Sequence, residues 1–225
     1  MPVSKSEVLH LNTTLSNLTP PEILEWSTLN LGLVFQTTSF GPSGMVILDM
    51  FSRLKPTISV PLIFIDTLYH FPETLELSEV ARKRYDVHVH VYRPLGVDSP
   101  AGFEAKHGEE AWKVKDSVYD YHAKVEPSMR AFCELGVECV VTGRRASQGD
   151  ARDELPVLEV DEGRGVWKVN PLAKWTESIV WDYIRAHNVL LPLLTPLTLS
   201  ILTHSLVWTK PRCRRIPSTL KVTAR

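Results

Sequence analysis

A chain of 225 residues, 44% hydrophobic and 23% charged, can bury one substantial core, and a formal net charge of −1 gives no electrostatic support to non-specific nucleic-acid or membrane binding. The longest strongly apolar stretch, 189–199, is interrupted by Pro192 and Pro196 and is too short to span a bilayer, so no membrane role is expected. The opening Met1-Pro2-Val3-Ser4-Lys5-Ser6 lacks the charged and apolar blocks of a signal peptide, and with three cysteines the expected compartment is a reducing cytoplasm.

Along the chain, residues 6–30 read as short helices broken by Pro20-Pro21. A strand follows over 31–37, running into Thr37-Thr38-Ser39-Phe40-Gly41-Pro42-Ser43-Gly44 and a helix over 45–54. Hydroxyls and glycines at a strand-to-helix turn leave free backbone N–H groups at the positive end of a helix dipole, an arrangement that favours phosphate. The pattern is neither Gly-x-x-x-x-Gly-Lys-Ser/Thr nor Gly-x-Gly-x-x-Gly, and by itself it is equally an ordinary turn. The unbroken apolar run 61–66 reads as a strand covered on both faces; it ends in Asp66-Thr67 and is followed by a helix over 72–85 with Pro72 in its first turn.

A strand over 87–92 comes next. It carries His88 and His90 on one face, which suits a half-exposed edge better than a metal grip because no third ligand lies nearby in sequence. A mostly helical stretch covers 101–135, and the apolar run 137–141 is a further strand. Beyond it, Thr142-Gly143-Arg144-Arg145-Ala146-Ser147-Gln148-Gly149-Asp150-Ala151-Arg152 sets three arginines among small residues. Guanidinium forks pair with phosphate or sulfate oxygens in two places at once, although such a loop is also common as a solvated basic surface. Residues 155–160 and 166–169 flank Asp161-Glu162-Gly163-Arg164-Gly165 as a small hairpin, and a helix capped by Thr176 spans 177–188.

Strands alternating with helices predict an α/β fold with a doubly wound, mostly parallel sheet. Ligands of such sheets collect beyond the carboxyl ends of the strands, which is where Ser39, Asp66 and Arg144 would meet. Trp26, Trp112, Trp167, Trp175 and Trp181 are scattered through packing positions rather than grouped as a stacking platform, and Cys133 and Cys139 read as buried packing thiols.

Five ordered motifs carry a family resemblance: Thr38-Ser39-Phe40-Gly41, Phe64-Ile65-Asp66-Thr67, Lys124-Val125-Glu126-Pro127, Thr142-Gly143-Arg144-Arg145 with Ser147-Gln148-Gly149, and Asn170-Pro171-Leu172-Ala173-Lys174-Trp175. In order and spacing the chain resembles the phosphoadenylyl-sulfate (PAPS) reductases over about 8–189, most closely the fungal, thioredoxin-dependent type. The resemblance implies an adenine nucleotide α-hydrolase-like fold, related to the PP-loop proteins. It implies reduction of PAPS to sulfite and adenosine 3′,5′-bisphosphate in sulfate assimilation toward cysteine and methionine, with thioredoxin as external reductant. A homodimer is compatible with it. Substrate contacts would come from Thr38, Ser39, Phe40, Gly41, Asp66, Thr67, Lys124, Arg144, Arg145, Ser147, Gln148 and Arg152.

Adenylyl-sulfate reductases carry a cysteine pair just before the lysine motif that holds an iron–sulfur cluster; Tyr119 and Asp120 stand at those places here, so no cluster and no bound cofactor are expected. A sulfate-adenylylating relative would show a Ser-Gly-Gly-x-Asp-Ser loop where Thr38-Ser39-Phe40-Gly41 stands.

In the family a cysteine thiolate in a C-terminal Glu-Cys-Gly-Ile/Leu-His motif attacks the sulfonate sulfur. This chain has no such motif. From Val189 to Arg225 there is no acidic residue, although the rest holds all 26. The expected organisation is therefore a PAPS reductase-like catalytic domain over 1–188, comprising helices 6–30 and a nucleotide-binding core 31–188. A poorly ordered tail over 189–225 departs from the family, as a shifted reading frame or mis-joined exon would make it. Recovery of the flanking DNA tests that idea, which fails if no other frame encodes the motif. Cys213, beside Arg212, Arg214 and Arg215, is the one substitute nucleophile the tail offers, and a solvent-exposed thiol is the plainer reading. A chain that holds the nucleotide without turning it over is the alternative to a working reductase.

Overall fold

The structure, a computed structural model, describes residues 5–54, 59–108, 116–148 and 155–191. Two helices, α1 (Lys5–Leu15) and α2 (Pro20–Asn30), lead into β1 (Val34–Thr37), α3 (Pro42–Arg53), β2 (Leu62–Ile65), α4 (Pro72–Arg84) and β3 (Val89–Tyr92). Then come α5 (Pro100–His107), α6 (Asp116–Asp120), a π turn (Tyr121–Val125), α7 (Glu126–Glu134) and β4 (Cys139–Val141). A 3-10 turn (Ala146–Gln148), the hairpin β5 (Leu158–Asp161) and β6 (Val166–Val169), and α8 (Glu177–His187) complete the order. Among the described residues no helix is long and apolar enough to cross a membrane.

Prolines start helices here. Pro20, Pro42 and Pro72 each occupy the first turn, where a missing N–H costs nothing and the fixed φ is already helical. Pro20-Pro21 marks the break between two short helices, as the sequence implies, and opens the second, with Thr19 and Glu22 forming a capping box in which the Thr19 N–H donates to Glu22 Oε2 at 2.7 Å. Thr176 caps α8 by accepting from Ile179 N at 3.3 Å, and Asn188 closes it in the left-handed conformation.

The strands form one sheet in the order β3-β2-β1-β4-β6-β5, with all pairings parallel except β5 with β6. The chain steps outward from β1 through β2 to β3, then returns to the other side of β1 with β4. That reversal opens a crevice between the carboxyl ends of β1 and β4. Phe35, Ile63 and Val140 pack on one face with Ala131 and Phe132 of α7, while Val34, Leu62, Phe64, Cys139 and Val141 pack on the other with Met45, Ile47 and Leu48 of α3. Burial on both faces is why these strands read as continuous apolar runs.

The two sheet edges are closed differently. His88 precedes β3 and His90 lies on it, their rings 4.3 Å apart on the outer strand, and burial with the neighbouring His88 keeps His90 below the ordinary histidine range. At the other edge, Asn12 of α1 donates Nδ2–H to Leu158 O at 2.7 Å and accepts from Leu158 N at 2.9 Å, standing in for the missing neighbour strand. Asn12→Ala should cost about 1.5 kcal/mol and lower the thermal midpoint by roughly 3–6 °C. A shift under about 1 °C would show that the edge is satisfied without it.

Candidate functional site

Thr38 extends the pairing of β1 by donating its N–H to Ile63 O at 3.1 Å, and its Oγ1 accepts from Phe40 N at 2.9 Å. Phe40 takes a left-handed φ of 59° and drops its fully buried ring against Phe64, with centroids 5.1 Å apart. A bulky residue holds that conformation because its ring is anchored from below. Phe40 therefore shapes the loop through its backbone and plugs its floor; its ring lies in the core. Gly41 caps α3, and Met45 N closes the first turn on Gly41 O at 3.0 Å. The amides of that first turn have no partner within the helix, and the turn starts at the carboxyl end of β1, beside the crevice.

Gly44 is held close on two sides. A Cβ there would lie 2.5 Å from Thr38 Oγ1, and Gln36 of β1, wholly buried, donates its Nε2–H to Gly44 O at 2.7 Å. Gly44→Ala must push the Thr38 hydroxyl off Phe40 N, and it is expected to weaken binding of adenosine 3′,5′-bisphosphate about tenfold in a calorimetric titration. Unchanged affinity would place the anion away from this loop.

The arginine loop touches the same turn. A Cβ on Gly143 would meet Gly44 N at 3.2 Å and Ser43 Cβ at 3.1 Å, so the two loops pack backbone to backbone. Arg145 is buried, donating Nε–H to Ser43 Oγ at 3.1 Å and Nη1–H to Ser147 Oγ at 3.3 Å. Burial pulls its guanidinium below the usual arginine range, with Glu177 pulling partly back. Arg144 is half-buried and pairs through Nη1 with Glu159 Oε1 at 2.5 Å.

Asn170-Pro171-Leu172-Ala173-Lys174-Trp175 forms the support beneath. Asn170 accepts from Thr142 Oγ1 at 2.6 Å and donates to Pro156 O at 3.0 Å and Glu159 Oε1 at 3.2 Å. Ala173 O accepts from Ala146 N at 2.9 Å, and Trp175 O accepts from the Ser147 hydroxyl at 3.3 Å.

At the end of β2, Asp66 is buried and accepts from Leu68 N at 3.0 Å and from Arg93 Nε at 2.8 Å. It orients a donor, Arg93, whose half-exposed guanidinium extends the basic rim, and Thr67 follows it half-buried. Lys124 sits further along. Its ammonium donates to Asp120 Oδ1 at 2.8 Å and stands 5.2 Å from the centroid of the Tyr119 ring. Asp120 and Tyr119 thus hold the Lys124 ammonium.

Lys124 lies on the π turn, where Glu126 N reaches back to Tyr121 O; the wider turn lets the helix pass Pro127, which has no N–H to give. The turn is joined to the β2 end through Phe103, Tyr69 and Tyr119, whose rings meet edge to face. Lys124-Val125-Glu126-Pro127 thus lies inside a continuous helical stretch, 116–134.

The structure brings Thr38, Gly41, Arg144, Arg145 and Ser147 into one contiguous pair of loops, with Ser39 half-buried between Thr38 and Phe40. Asp66 and Lys124 lie on neighbouring parts of the same strand-end rim. Gln148 ends the 3-10 turn, while Arg152 and Cys213 lie outside the described residues. Glu159, Gln36, Arg93 and Asn170 build or brace the site although sequence reasoning assigned none of them a role at the ligand. The signal available for Gln36 was a polar residue inside an apolar strand.

A family profile for the phosphoadenosine phosphosulfate reductase domain matches residues 33–196. The chain is 47% identical over 190 residues to a phosphoadenosine phosphosulfate reductase of Emericella nidulans, covering 83% of this chain and 61% of that one. It is 46% identical over 193 residues to the Saccharomyces cerevisiae protein of the same name, covering 83% and 74%. It thus spans between three-fifths and three-quarters of those relatives.

The crystal structure of a Candida auris PAPS reductase in complex with phosphate superposes with a TM-score of 0.80 at 44% identity, over 88% of this chain and 94% of that one. A Candida glabrata FMN adenylyltransferase, at 17% identity and a TM-score of 0.54 over 85% of this chain and 63% of that one, shares the fold alone. Profile, relatives and superposed sheet agree that the chain belongs to the phosphoadenosine phosphosulfate reductase family.

Proposed function

We propose that the protein binds PAPS in the crevice between β1 and β4 and serves its reduction to sulfite and adenosine 3′,5′-bisphosphate, with thioredoxin as reductant. The observation that carries this reading is the contact between two anion-type loops, Ser43-Gly44 at a helix start against Gly143 and Arg145, at the point where strand order reverses. The relatives' names support the substrate, and the phosphate complex of the C. auris protein supports an anion site in this fold. The reading puts the reaction in a reducing cytoplasm and is compatible with a homodimer.

The reaction needs a thiolate that attacks the sulfonate sulfur, forming an S–S bond as the S–O bond breaks and the nucleotide bisphosphate leaves. A thioredoxin dithiol then displaces sulfite and becomes a disulfide. Of the two cysteines among the described residues, Cys139 is wholly buried in β4, and burial pushes its thiol far above the ordinary range. Cys133 is exposed rather than buried, contrary to expectation. It lies near the end of α7, which runs back from Arg93 at the rim toward the start of β4. Neither is placed for the attack. The described residues supply the nucleotide's grip, and the nucleophile must come from outside them.

Incubation with PAPS and reduced thioredoxin should release sulfite and adenosine 3′,5′-bisphosphate in equal amounts. Tight bisphosphate binding without sulfite would leave nucleotide holding as the activity. Loss of sulfite in Cys213→Ser would identify that cysteine as the nucleophile.

A further inference from the structure

The antiparallel direction of β5 has a consequence at the site. Because β5 runs against β6, with Leu158 opposite Val169 and Glu159 opposite Lys168, the beginning of β5 lies at the carboxyl ends of its parallel neighbours. Glu159 is thereby delivered to the ligand rim by the edge strand that follows the arginine loop. Its Oε1 accepts from Arg144 Nη1 at 2.5 Å and from Asn170 Nδ2 at 3.2 Å, with Lys168 Nζ 3.9 Å away. Asn170 Oδ1 in turn accepts from the Thr142 hydroxyl at 2.6 Å, and the Arg144 N–H points back to Thr142 Oγ1 at 3.4 Å. Thr142, Asn170, Glu159 and Arg144 thus close a ring at the ends of β4, β6 and β5, its last link made by the Arg144 backbone N–H.

We propose that Glu159 is a positioning residue: it holds the Arg144 guanidinium in the orientation that receives the nucleotide's anionic group, and this rests on the functional reading above. One guanidinium nitrogen is engaged by the carboxylate, which fixes the plane of the fork before ligand arrives. Holding a long, rotamer-rich side chain in place reduces what binding must spend on ordering it. Two effects of Glu159 oppose each other. Its charge repels an incoming anion, but Arg144 and Lys168 flank that charge and both groups are partly solvated, so the Coulomb penalty is small. Orientation is expected to outweigh it. Asn170 and the Asn12 brace on β5 keep Glu159 itself from drifting.

The test is a double-mutant cycle read by calorimetric titration with adenosine 3′,5′-bisphosphate, thermal melts establishing that each variant is folded. Glu159→Ala should weaken binding roughly tenfold in the wild-type background and leave the affinity of Arg144→Ala unchanged or slightly improved. Glu159→Gln keeps an acceptor oxygen for Arg144 and should recover most of the loss. An equal cost of Glu159→Ala in both backgrounds, or tighter binding by Glu159→Ala alone, overturns the assignment while leaving the nucleotide site standing. Absence of binding by the wild-type protein overturns the functional reading and this inference with it.

Discussion

Arg145→Ala is expected to weaken adenosine 3′,5′-bisphosphate binding by about 2–3 kcal/mol, thirtyfold or more, a larger loss than for Arg144→Ala. Arg144 is half-exposed and already shared with Glu159, whereas Arg145 is buried beneath the crevice and holds Ser43 and Ser147 together from within. A cation held in a low-dielectric setting interacts more strongly with an arriving anion than a solvated one, and the lowered pKa of Arg145 reports that desolvation. Removing it also takes an N–H donor from each of the Ser43 and Ser147 hydroxyls, so helix start and arginine loop lose that shared anchor. Arg145→Lys should recover little, because a single ammonium cannot bond both serines in the geometry of a fork. Calorimetry decides the order: a smaller loss for Arg145→Ala than for Arg144→Ala would mean that the buried guanidinium is a structural pin with no part in binding.

The second large effect concerns stability. Asn170→Ala should cost about 3 kcal/mol, a fall of roughly 6–12 °C in thermal midpoint for a domain of this size. The side chain is wholly buried and bonds Thr142, Pro156 and Glu159 at once. Truncation leaves those partners without it in a place water does not fill freely, and an unsatisfied buried polar group costs more than a hydrogen bond gains. Asn170→Asp is the informative companion: it keeps the shape and the acceptor for Thr142 but sets a carboxylate against Glu159. It should destabilise by a similar amount at neutral pH and less as the pH falls toward the carboxylate range, where a shared proton relieves the repulsion. A midpoint within about 2 °C of wild type for Asn170→Ala would show that the ring around Glu159 contributes little to holding the hairpin.

How much of this was legible in sequence follows from how far each interaction reaches along the chain. The parallel strands announced themselves as apolar runs because both faces are covered, and the turn at Thr38-Ser39-Phe40-Gly41 did so because a strand, a glycine and a first-turn proline lie within a few residues. The convergence of that turn with the arginine loop followed from the rule that ligands gather at strand ends. The braces behind those loops were not legible. Gln36 acts on Gly44 across a strand-to-helix turn, Glu159 acts on Arg144 from an edge strand, and Asn12 satisfies Leu158 from the first helix. Such pairings depend on tertiary register, which periodicity does not encode.

Two proline sites show how local signals work. Pro20-Pro21 carries the same letters whether it ends one helix or starts the next, and the capping box at Thr19 and Glu22 was the signal that decided it. Within the helical stretch expected over 101–135, Pro127 removes one donor, and the π turn accommodates it without a break. Asp66 was legible as a rim carboxylate. Its partner Arg93 was not, since the pair joins the ends of two neighbouring strands.

A crystal structure of the protein with adenosine 3′,5′-bisphosphate would test the placement of the nucleotide most directly. A phosphate group should lie within hydrogen-bond reach of the amides at the start of α3 and of Arg144 or Arg145, between the ends of β1 and β4. Phosphate density bound elsewhere, for instance along the basic last turn of α4 at Arg82, Lys83 and Arg84, with the crevice holding only solvent, would contradict it.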